Sequence, residues 1–208
     1  VKIAKGEWIT FVDADDTIPF NALECFSRLF TADTDIIIGQ IGPDRINVPK
    51  YYSLEEYRAG CISGKIRVEA CGKCIRRSLF TENTLDIPRE IRMGEDMLMH
   101  IRLSYITKKN IYILPSPNHI YNYRKHEFQC TSTFKRTFDY ELEFHKHLKE
   151  SIPESEHDKY LEATIKSRLN AYRQMMMRYV FYNGVSRHPF YKELLHDVGK
   201  INYKLTWS

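Results

Sequence analysis

The 208-residue sequence contains no apolar run approaching ~18 residues, so it predicts no membrane-spanning helix. Lys and Arg form no continuous run either, which argues against nucleic acid as a partner. Cysteine is scarce, and the odd count of 5 suits reduced thiols in a cytoplasmic protein. Features of a signal peptide are also missing from the first residues. What remains is the composition of a globular chain, with 43% hydrophobic and 28% charged residues.

Two of the cysteines, Cys71 and Cys74, have the C-x-x-C spacing of redox motifs. A thioredoxin-like motif opens a helix after a strand, and residues 63–70 form only a poor strand pattern. A structural zinc site would need a second ligand pair at similar spacing, which the sequence does not offer. The pattern therefore favours two ordinary thiols over a functional pair.

An abrupt change from apolar to acidic residues is the most informative feature of the chain. The segment Trp8–Val12 is a run of apolar, β-branched and aromatic residues, which predicts a strand buried on both faces inside a parallel sheet. It ends in three carboxylates, those of Asp13, Asp15 and Asp16. Because ligand sites of open α/β sheets lie beyond the carboxyl ends of the strands, the sequence predicts a binding site here.

Asp13 and Asp15 are two residues apart, so in an extended chain their side chains point to the same side. Two carboxylates placed in this way suit a hard divalent cation, Mg²⁺ or Mn²⁺, which commonly bridges substrate phosphates. Asp16 faces the other way and is predicted to cap a helix that Pro19 opens. The alternative is a solvated turn with a helix cap, because aspartate is common in turns.

The spacing of apolar residues predicts the remaining elements. Helices are expected over residues 19–32, 54–62 and 95–106, and long helices after residue 131. Strands are expected over residues 36–38, 111–114 and 119–124. One face of a C-terminal helix that ends at Gly184 is apolar, at Leu161, Ile165, Leu169, Tyr172, Met176 and Tyr179.

Residues 4–16, AKGEWITFVDADD, closely resemble the metal-binding strand of family 2 glycosyltransferases. Residues 94–96, GED, resemble the second signature of that family, a Glu-Asp pair that opens a helix. KCIRRSLF at residues 73–80 is similar to a family segment with Lys and two Arg, and YNYR at residues 121–124 resembles a Tyr-x-Tyr-Arg strand. The motifs follow the family's order, with one departure at Cys71, where the family usually has an aromatic residue.

The resemblance implies an α/β fold with a GT-A-like, Rossmann-related mixed sheet flanked by helices. Residues 1–133 would be the C-terminal part of a catalytic domain, truncated at the N-terminus and lacking its nucleotide-binding half. Residues 134–208 would be a helical C-terminal extension. A chain truncated in this way is expected to be inactive by itself, because the pocket for the nucleotide base is missing.

In this family a sugar moves from a nucleotide sugar, by default a UDP-sugar, to a hydroxyl group of a saccharide or lipid-linked acceptor, with inversion, in polysaccharide or glycan synthesis. The resemblance implies Asp15 as the direct ligand of Mg²⁺ or Mn²⁺. It implies Asp13 as a water-mediated ligand or a ribose contact. Asp16, Lys73 and Arg124 are expected near the substrate, although a structural ion pair is equally compatible with Lys73 and Arg124.

Asp96 is the expected general base for the acceptor hydroxyl, with Glu95 beside it. Their predicted place at a helix start should lower the pKa of the carboxylate through exposed amides and the helix dipole. A weaker base still serves if its geometry is right. The alternative is that both residues simply follow the preference of acidic side chains for helix N-termini.

Two other functions fit parts of the pattern. One is a metal-dependent nucleotidyltransferase that joins a sugar phosphate to a nucleotide, although such enzymes usually carry a Gly-rich phosphate loop. The other is a non-catalytic domain that binds a partner or a membrane. From His145 onward 11 Lys and Arg oppose 7 Asp and Glu, which suits a solvated helix face or peripheral contact with the inner face of the cell membrane.

Overall fold

The computed structural model describes residues 1–41, 49–115, 119–124, 134, 136–178, 187–201 and 203. In these ranges the strands are β1 (Trp8–Thr10), β2 (Ile36–Ile38), β3 (Gln40–Ile41), β4 (Tyr51–Tyr52), β5 (Lys73–Arg76), β6 (Ile111–Ile113) and β7 (His119–Tyr121). The helices are α1 (Ala22–Ser27), α2 (Leu54–Ser63), α3 (Glu82–Leu85), α4 (Glu95–Ile106), α5 (Phe138–Glu150), α6 (Leu161–Arg178) and α7 (Pro189–Lys200). Within the described ranges, no helix combines the length and the apolar character needed to cross a membrane.

A mixed sheet of five strands forms the centre, in the order β1-β5-β2-β6-β4. β2 and β6 are parallel, whereas β5 runs antiparallel to both of its neighbours, β1 and β2. Helices pack against this sheet, so the predicted mixed α/β architecture is confirmed. The register of β1 on β5 places Thr10 opposite Cys74 and Trp8 opposite Arg76.

The first strand differs from its prediction. β1 lies at one edge of the sheet and is antiparallel to its neighbour, so it is not an interior strand of a parallel sheet. Ile9 is buried, whereas Trp8 and Thr10 are half-buried and Val12 is exposed. The pleat sends alternate side chains to opposite faces, and both faces meet apolar residues. Ile9 is buried on one face, and Trp8 on the other packs against a buried cluster from α1, β2 and β5 and stacks on Phe30, with ring centroids 4.3 Å apart.

A second, two-stranded sheet contains the start of the YNYR segment and places it near the residues that follow β1. β3 and β7 are parallel, with Gln40 opposite His119 and Ile41 opposite Tyr121. Directly after β7, the backbones of Asn122 and Thr17 exchange two hydrogen bonds of 2.8 and 3.3 Å. Two segments far apart in the sequence therefore lie side by side just beyond the acidic residues.

The first helix is shorter than predicted. α1 covers only Ala22–Ser27 inside the expected range 19–32, and Phe20 is fully exposed. Its N-cap residue is Asn21, so the prediction that Asp16 caps this helix is wrong. The Asp16 carboxylate instead accepts a hydrogen bond from a backbone amide on the neighbouring YNYR segment.

The later helices agree better with the sequence pattern. A capping box begins α2, because the Ser53 hydroxyl accepts from the Glu56 amide while the Glu56 carboxylate accepts from the Ser53 amide. α4 has the predicted bounds. Phe144 and Leu148 of α5 belong to the same buried cluster as Ile36 and Ile75 of the sheet, so the C-terminal helices share the core of the α/β part.

The apolar face of α6 is displaced from the predicted stripe. Of the predicted residues only Ile165 is fully buried, and Tyr179 and Gly184 lie outside the described residues. Met175 packs with Phe138 and Phe190, which agrees with a core role for this methionine-rich segment.

The C-x-x-C pair does not have the geometry of a redox motif. Cys71 and Cys74 are free, buried thiols, and Cys74 lies inside β5. A redox motif would place these residues at the start of a helix. Burial raises the pKa of Cys74 to about 12, so this thiol stays protonated at neutral pH.

Candidate active site

The acidic segment after β1 forms a turn. Phe11 pairs with Cys71 in an isolated bridge, and the amide of Asp16 then donates to the carbonyl oxygen of Asp13 at 3.1 Å. The chain is therefore not extended beyond Val12, and the alternation expected of a strand does not apply to the carboxylates. Asp13 and Asp15 are exposed, whereas Asp16 is buried.

The buried side chain of Tyr121 supports this turn. Its hydroxyl accepts a hydrogen bond from the Asp13 amide at 3.1 Å, and only 1% of the residue is exposed. Burial, and then the nearby acidic groups, raise the pKa of Tyr121, so it remains a neutral phenol. Tyr121 belongs to the YNYR segment, but no sequence pattern distinguishes it from its neighbours as a site residue.

Asp16 contacts the backbone of Arg124, whereas the sequence suggested a role for the Arg124 side chain. Oδ1 of Asp16 accepts from the backbone amide of Arg124 at 2.7 Å. Arg124 itself is an exposed residue at the edge of the turn. Asp16 thus ties the turn to the YNYR segment, while Asp13 and Asp15 face solvent.

The second acidic pair begins α4. Gly94 is its N-cap residue at φ 103°, and Glu95 and Asp96 form the first turn. Oδ2 of Asp96 accepts from the amide of Ala70 at 2.9 Å. Asp96 is half-buried, and burial raises its pKa more than the Ala70 hydrogen bond and the charge of Lys73 lower it. The expectation of a lowered pKa at this helix start is therefore wrong, because desolvation outweighs the helix amides.

The two acidic segments meet through residues 70 and 71. Cys71 pairs with Phe11, two residues before Asp13, and the adjacent Ala70 holds the Asp96 carboxylate. The charge of Asp13 reaches Asp96 and contributes to its raised pKa. Two acidic motifs that are far apart in the sequence thus lie close together in the structure.

Lys73 is buried close to the Asp96 carboxylate. It is 1% exposed, and its ammonium donates a hydrogen bond to the carbonyl oxygen of Glu69. Direct contact of Lys73 with a substrate does not fit this position, because the side chain is enclosed by protein. The arginines of the same KCIRRSLF segment have structural contacts as well: Arg76 bonds Asp35 at 3.0 Å, and Arg77 bonds the Gly6 carbonyl at 2.8 Å.

Helix α5 supports the start of α4. The hydroxyl of Tyr140 accepts from the Met93 amide at 2.8 Å and lies 2.9 Å from the Met93 carbonyl oxygen, to which it donates. Burial raises the pKa of Glu95, and the nearby charge of Arg136 opposes that shift. The C-terminal helices therefore fix the backbone immediately before the acidic pair.

The donor set at the turn is suited to a cation that is shared with a substrate. In the described part of the chain, no three His, Cys, Asp or Glu side chains are grouped as a closed metal site. The pKa of Asp13 is raised, first because the carboxylate is partly buried and then because the charges of Asp16 and Asp15 repel it. Mg²⁺ usually binds through one or two carboxylates together with substrate phosphates, and Asp13 and Asp15 fit that mode.

Comparison with known proteins agrees with these motifs. The Glycosyl transferase family 2 profile matches residues 1–127. The EpsH protein of Bacillus subtilis (strain 168) is 26% identical over 139 residues, which cover 61% of this chain and 40% of that protein. A poly(ribitol-phosphate) beta-glucosyltransferase of Bacillus spizizenii is 32% identical over 126 residues, which cover 58% of this chain and 20% of that protein. The chain thus spans less than half the length of these relatives.

The fold also has solved counterparts. The crystal structure of S. aureus TarS 1–349 in complex with UDP-GlcNAc matches with a TM-score of 0.63 and 18% identity, over 94% of this chain and 58% of that one. A second structure of TarS 1–349 matches with a TM-score of 0.57 and 17% identity, over 94% of this chain and 56% of the other. At this identity the likeness concerns the fold, which is the one that the sequence motifs implied. The family profile covers more than half of the residues, and the chain belongs to glycosyl transferase family 2.

Proposed function

We propose that this chain is part of an enzyme that transfers a sugar from a UDP-sugar to a hydroxyl group of a saccharide or lipid-linked acceptor, with inversion. The single observation that carries the proposal is the meeting of the two acidic segments at the neighbouring residues Ala70 and Cys71. Membership of the family, a relative named for a glucosyl transfer to poly(ribitol-phosphate), and a fold shared with a UDP-GlcNAc complex support it. We assign this transfer to the synthesis of a polysaccharide or glycan, as the family resemblance implies.

In this proposal Asp15 and Asp13 hold Mg²⁺ or Mn²⁺ at the turn, together with the diphosphate of the donor. When bound, the cation would neutralise the negative charge that develops on the departing diphosphate. Tyr121 keeps the turn in place through the Asp13 amide, so the two carboxylates are oriented before the donor arrives.

Asp96 acts as the general base. Its Oδ2 is engaged by the Ala70 amide, which leaves Oδ1 for the acceptor hydroxyl. As the acceptor oxygen bonds to the anomeric carbon, its proton passes to Oδ1 and the bond from that carbon to the diphosphate breaks with its electron pair. One such displacement inverts the anomeric carbon. The raised pKa of Asp96 makes it a stronger base than an ordinary aspartate.

The metal site is tested by the substitution Asp15→Ala. In the full-length protein that contains this chain, calorimetry with UDP and Mn²⁺ should show that UDP binds only with the metal, and that Asp15→Ala weakens this binding at least about tenfold, or 1.4 kcal/mol. The matched control is Asp33→Ala, which removes an equally exposed carboxylate elsewhere on the surface and should bind as the unmodified protein does.

Equal UDP affinity in Asp15→Ala and in the unmodified protein would contradict the metal assignment. A product assay with UDP-sugars then identifies the reaction. Release of UDP together with a glycosylated acceptor supports transfer, whereas formation of pyrophosphate or a nucleoside triphosphate would identify a nucleotidyltransferase instead.

A further inference from the structure

A buried lysine and a half-buried aspartate contact opposite ends of one peptide group. The Lys73 ammonium donates to the carbonyl oxygen of Glu69, and the amide of Ala70 donates to Oδ2 of Asp96 at 2.9 Å. The Glu69 carbonyl and the Ala70 amide are the two halves of the same planar peptide unit. The Lys73 ammonium, the Glu69–Ala70 peptide and the Asp96 carboxylate therefore form one chain of hydrogen bonds.

The arrangement strengthens both hydrogen bonds. A positive charge at the carbonyl oxygen withdraws electron density from the amide nitrogen, which makes the N–H group a better donor to the carboxylate. Chains of hydrogen bonds polarise one another in this way, and the effect is greater where water is excluded. Lys73 is 1% exposed, so little solvent screens its charge.

We propose that Lys73 is a positioning residue for the transfer reaction, and that it fixes the orientation and the charge of the Asp96 carboxylate through the Glu69–Ala70 peptide. This inference rests on the proposed function for its role in catalysis. Its physical content, a coupling between Lys73 and Asp96, does not depend on the reaction. The assignment also replaces the expectation that Lys73 contacts the substrate.

The groups around Asp96 determine the direction of the effect. The Ala70 amide and the Lys73 ammonium favour the carboxylate, whereas burial and the charges of Glu69 and Asp13 favour its protonated form. Glu95, on the same helix, is a further acidic neighbour. Removal of Lys73 eliminates a cation and weakens the Ala70 donor, so the pKa of Asp96 should rise.

The pKa of Lys73 is lowered overall, although its acidic neighbours oppose the shift. Burial lowers the pKa of the ammonium, and the nearby groups of Glu69, Cys61, Cys71 and Asp96 oppose this shift. Asp96 and Lys73 thus each stabilise the charged form of the other. Removal of either charge should therefore shift the pKa of the other group.

The test is Lys73→Met, which keeps the length of the side chain and removes the charge. Carbon-detected NMR of ¹³C-labelled aspartate gives the titration of Asp96 directly, without substrate. We expect the midpoint to move to higher pH in Lys73→Met and to stay unchanged in Lys65→Met, a control that removes the same charge from an exposed position. Equal midpoints in Lys73→Met and the unmodified protein would overturn the proposal.

A second measurement needs no substitution and covers the case in which Lys73→Met fails to fold. In the unmodified protein, the Ala70 amide, the Glu69 carbonyl carbon and the Lys73 Nζ should all shift at the pH where Asp96 titrates. A response of the Ala70 amide alone would overturn the coupling to Lys73. If the coupling is found and no UDP-sugar is turned over, only the proposed function fails.

Discussion

In the full-length protein that contains this chain, Asp96→Asn should abolish most sugar transfer and leave the binding of UDP unchanged. A positioned general base contributes about 100- to 10,000-fold to a rate, and we expect kcat to fall within that range. The amide oxygen of the new side chain can still accept from the Ala70 amide, so the local geometry is preserved. Steady-state kinetics and UDP calorimetry on the same preparation measure both quantities.

The same variant should not be less stable than the unmodified protein. Burial raises the pKa of Asp96 in the folded state, so the folded protein binds this proton more tightly than the unfolded chain. Protonation of Asp96 therefore adds stability that is fully present below the pKa of the unfolded chain and is lost as the pH rises through the folded value, above which the ionised carboxylate costs stability. A loss of activity accompanied by a large fall in Tm would contradict a catalytic role.

The raised pKa of Asp96 also determines how activity depends on pH. Activity should fall as the pH drops through the raised pKa of Asp96, so the acidic limb lies above that of an ordinary aspartate. Glu95→Gln is the matched comparison, because it removes the adjacent carboxylate at the same helix start. It should lose much less kcat than Asp96→Asn, and an equal loss would assign the base to the pair instead of to Asp96.

Gly94→Ala should destabilise the protein by about 3 kcal/mol, from backbone strain and overpacking together. Gly94 has φ 103°, and a Cβ there would lie 2.5 Å from Cε2 of the Phe144 ring. Phe144 is only 3% exposed and has no room to move away. For a chain of this size the change corresponds to a fall in Tm of roughly 6–12 °C. Denaturant and thermal unfolding measure it.

Substitutions at two other glycines separate the cost of backbone strain from the cost of overpacking. Gly64 also has a positive φ of 75°, but its nearest neighbour would be 3.9 Å from the new Cβ, so Gly64→Ala should cost only about 1 kcal/mol. Gly199 lies in α7 with nothing within 4 Å, and Gly199→Ala should stabilise by about 0.5 kcal/mol. Equal unfolding midpoints for Gly94→Ala and Gly64→Ala would contradict an added cost from contact between the new Cβ and the Phe144 ring.

The acidic positions of the site could be predicted from the sequence because their signals are local. An apolar run that ends in Asp13, Asp15 and Asp16 marks the end of a strand wherever that strand lies in the sheet. The bounds of α4 were also predictable, since the apolar spacing after Glu95 matches a helix. These features depend on residues within one or two turns of each other.

The surroundings of these positions depend on distant segments and were not predictable. The pKa of Asp96 was predicted from its own helix alone, whereas burial and the charges of Glu69 and Asp13, from other segments, raise it. Lys73 had the pattern of a surface residue, and no periodicity shows that its partner is a backbone carbonyl. Likewise, the spacing of aromatic residues over-extended α1, because Phe30 lies beyond the helix and stacks on Trp8.

The most direct test of a shared cleft is paramagnetic broadening of amide signals by Mn²⁺ bound with UDP. This broadening falls steeply with distance from the metal. If Asp13 and Asp15 hold the metal and Asp96 faces it, the signals of Ala14, Ala70 and Asp96 should broaden together, while those of α7 stay sharp. Broadening of Ala14 with sharp signals from Ala70 and Asp96 would contradict a cleft common to the two acidic segments.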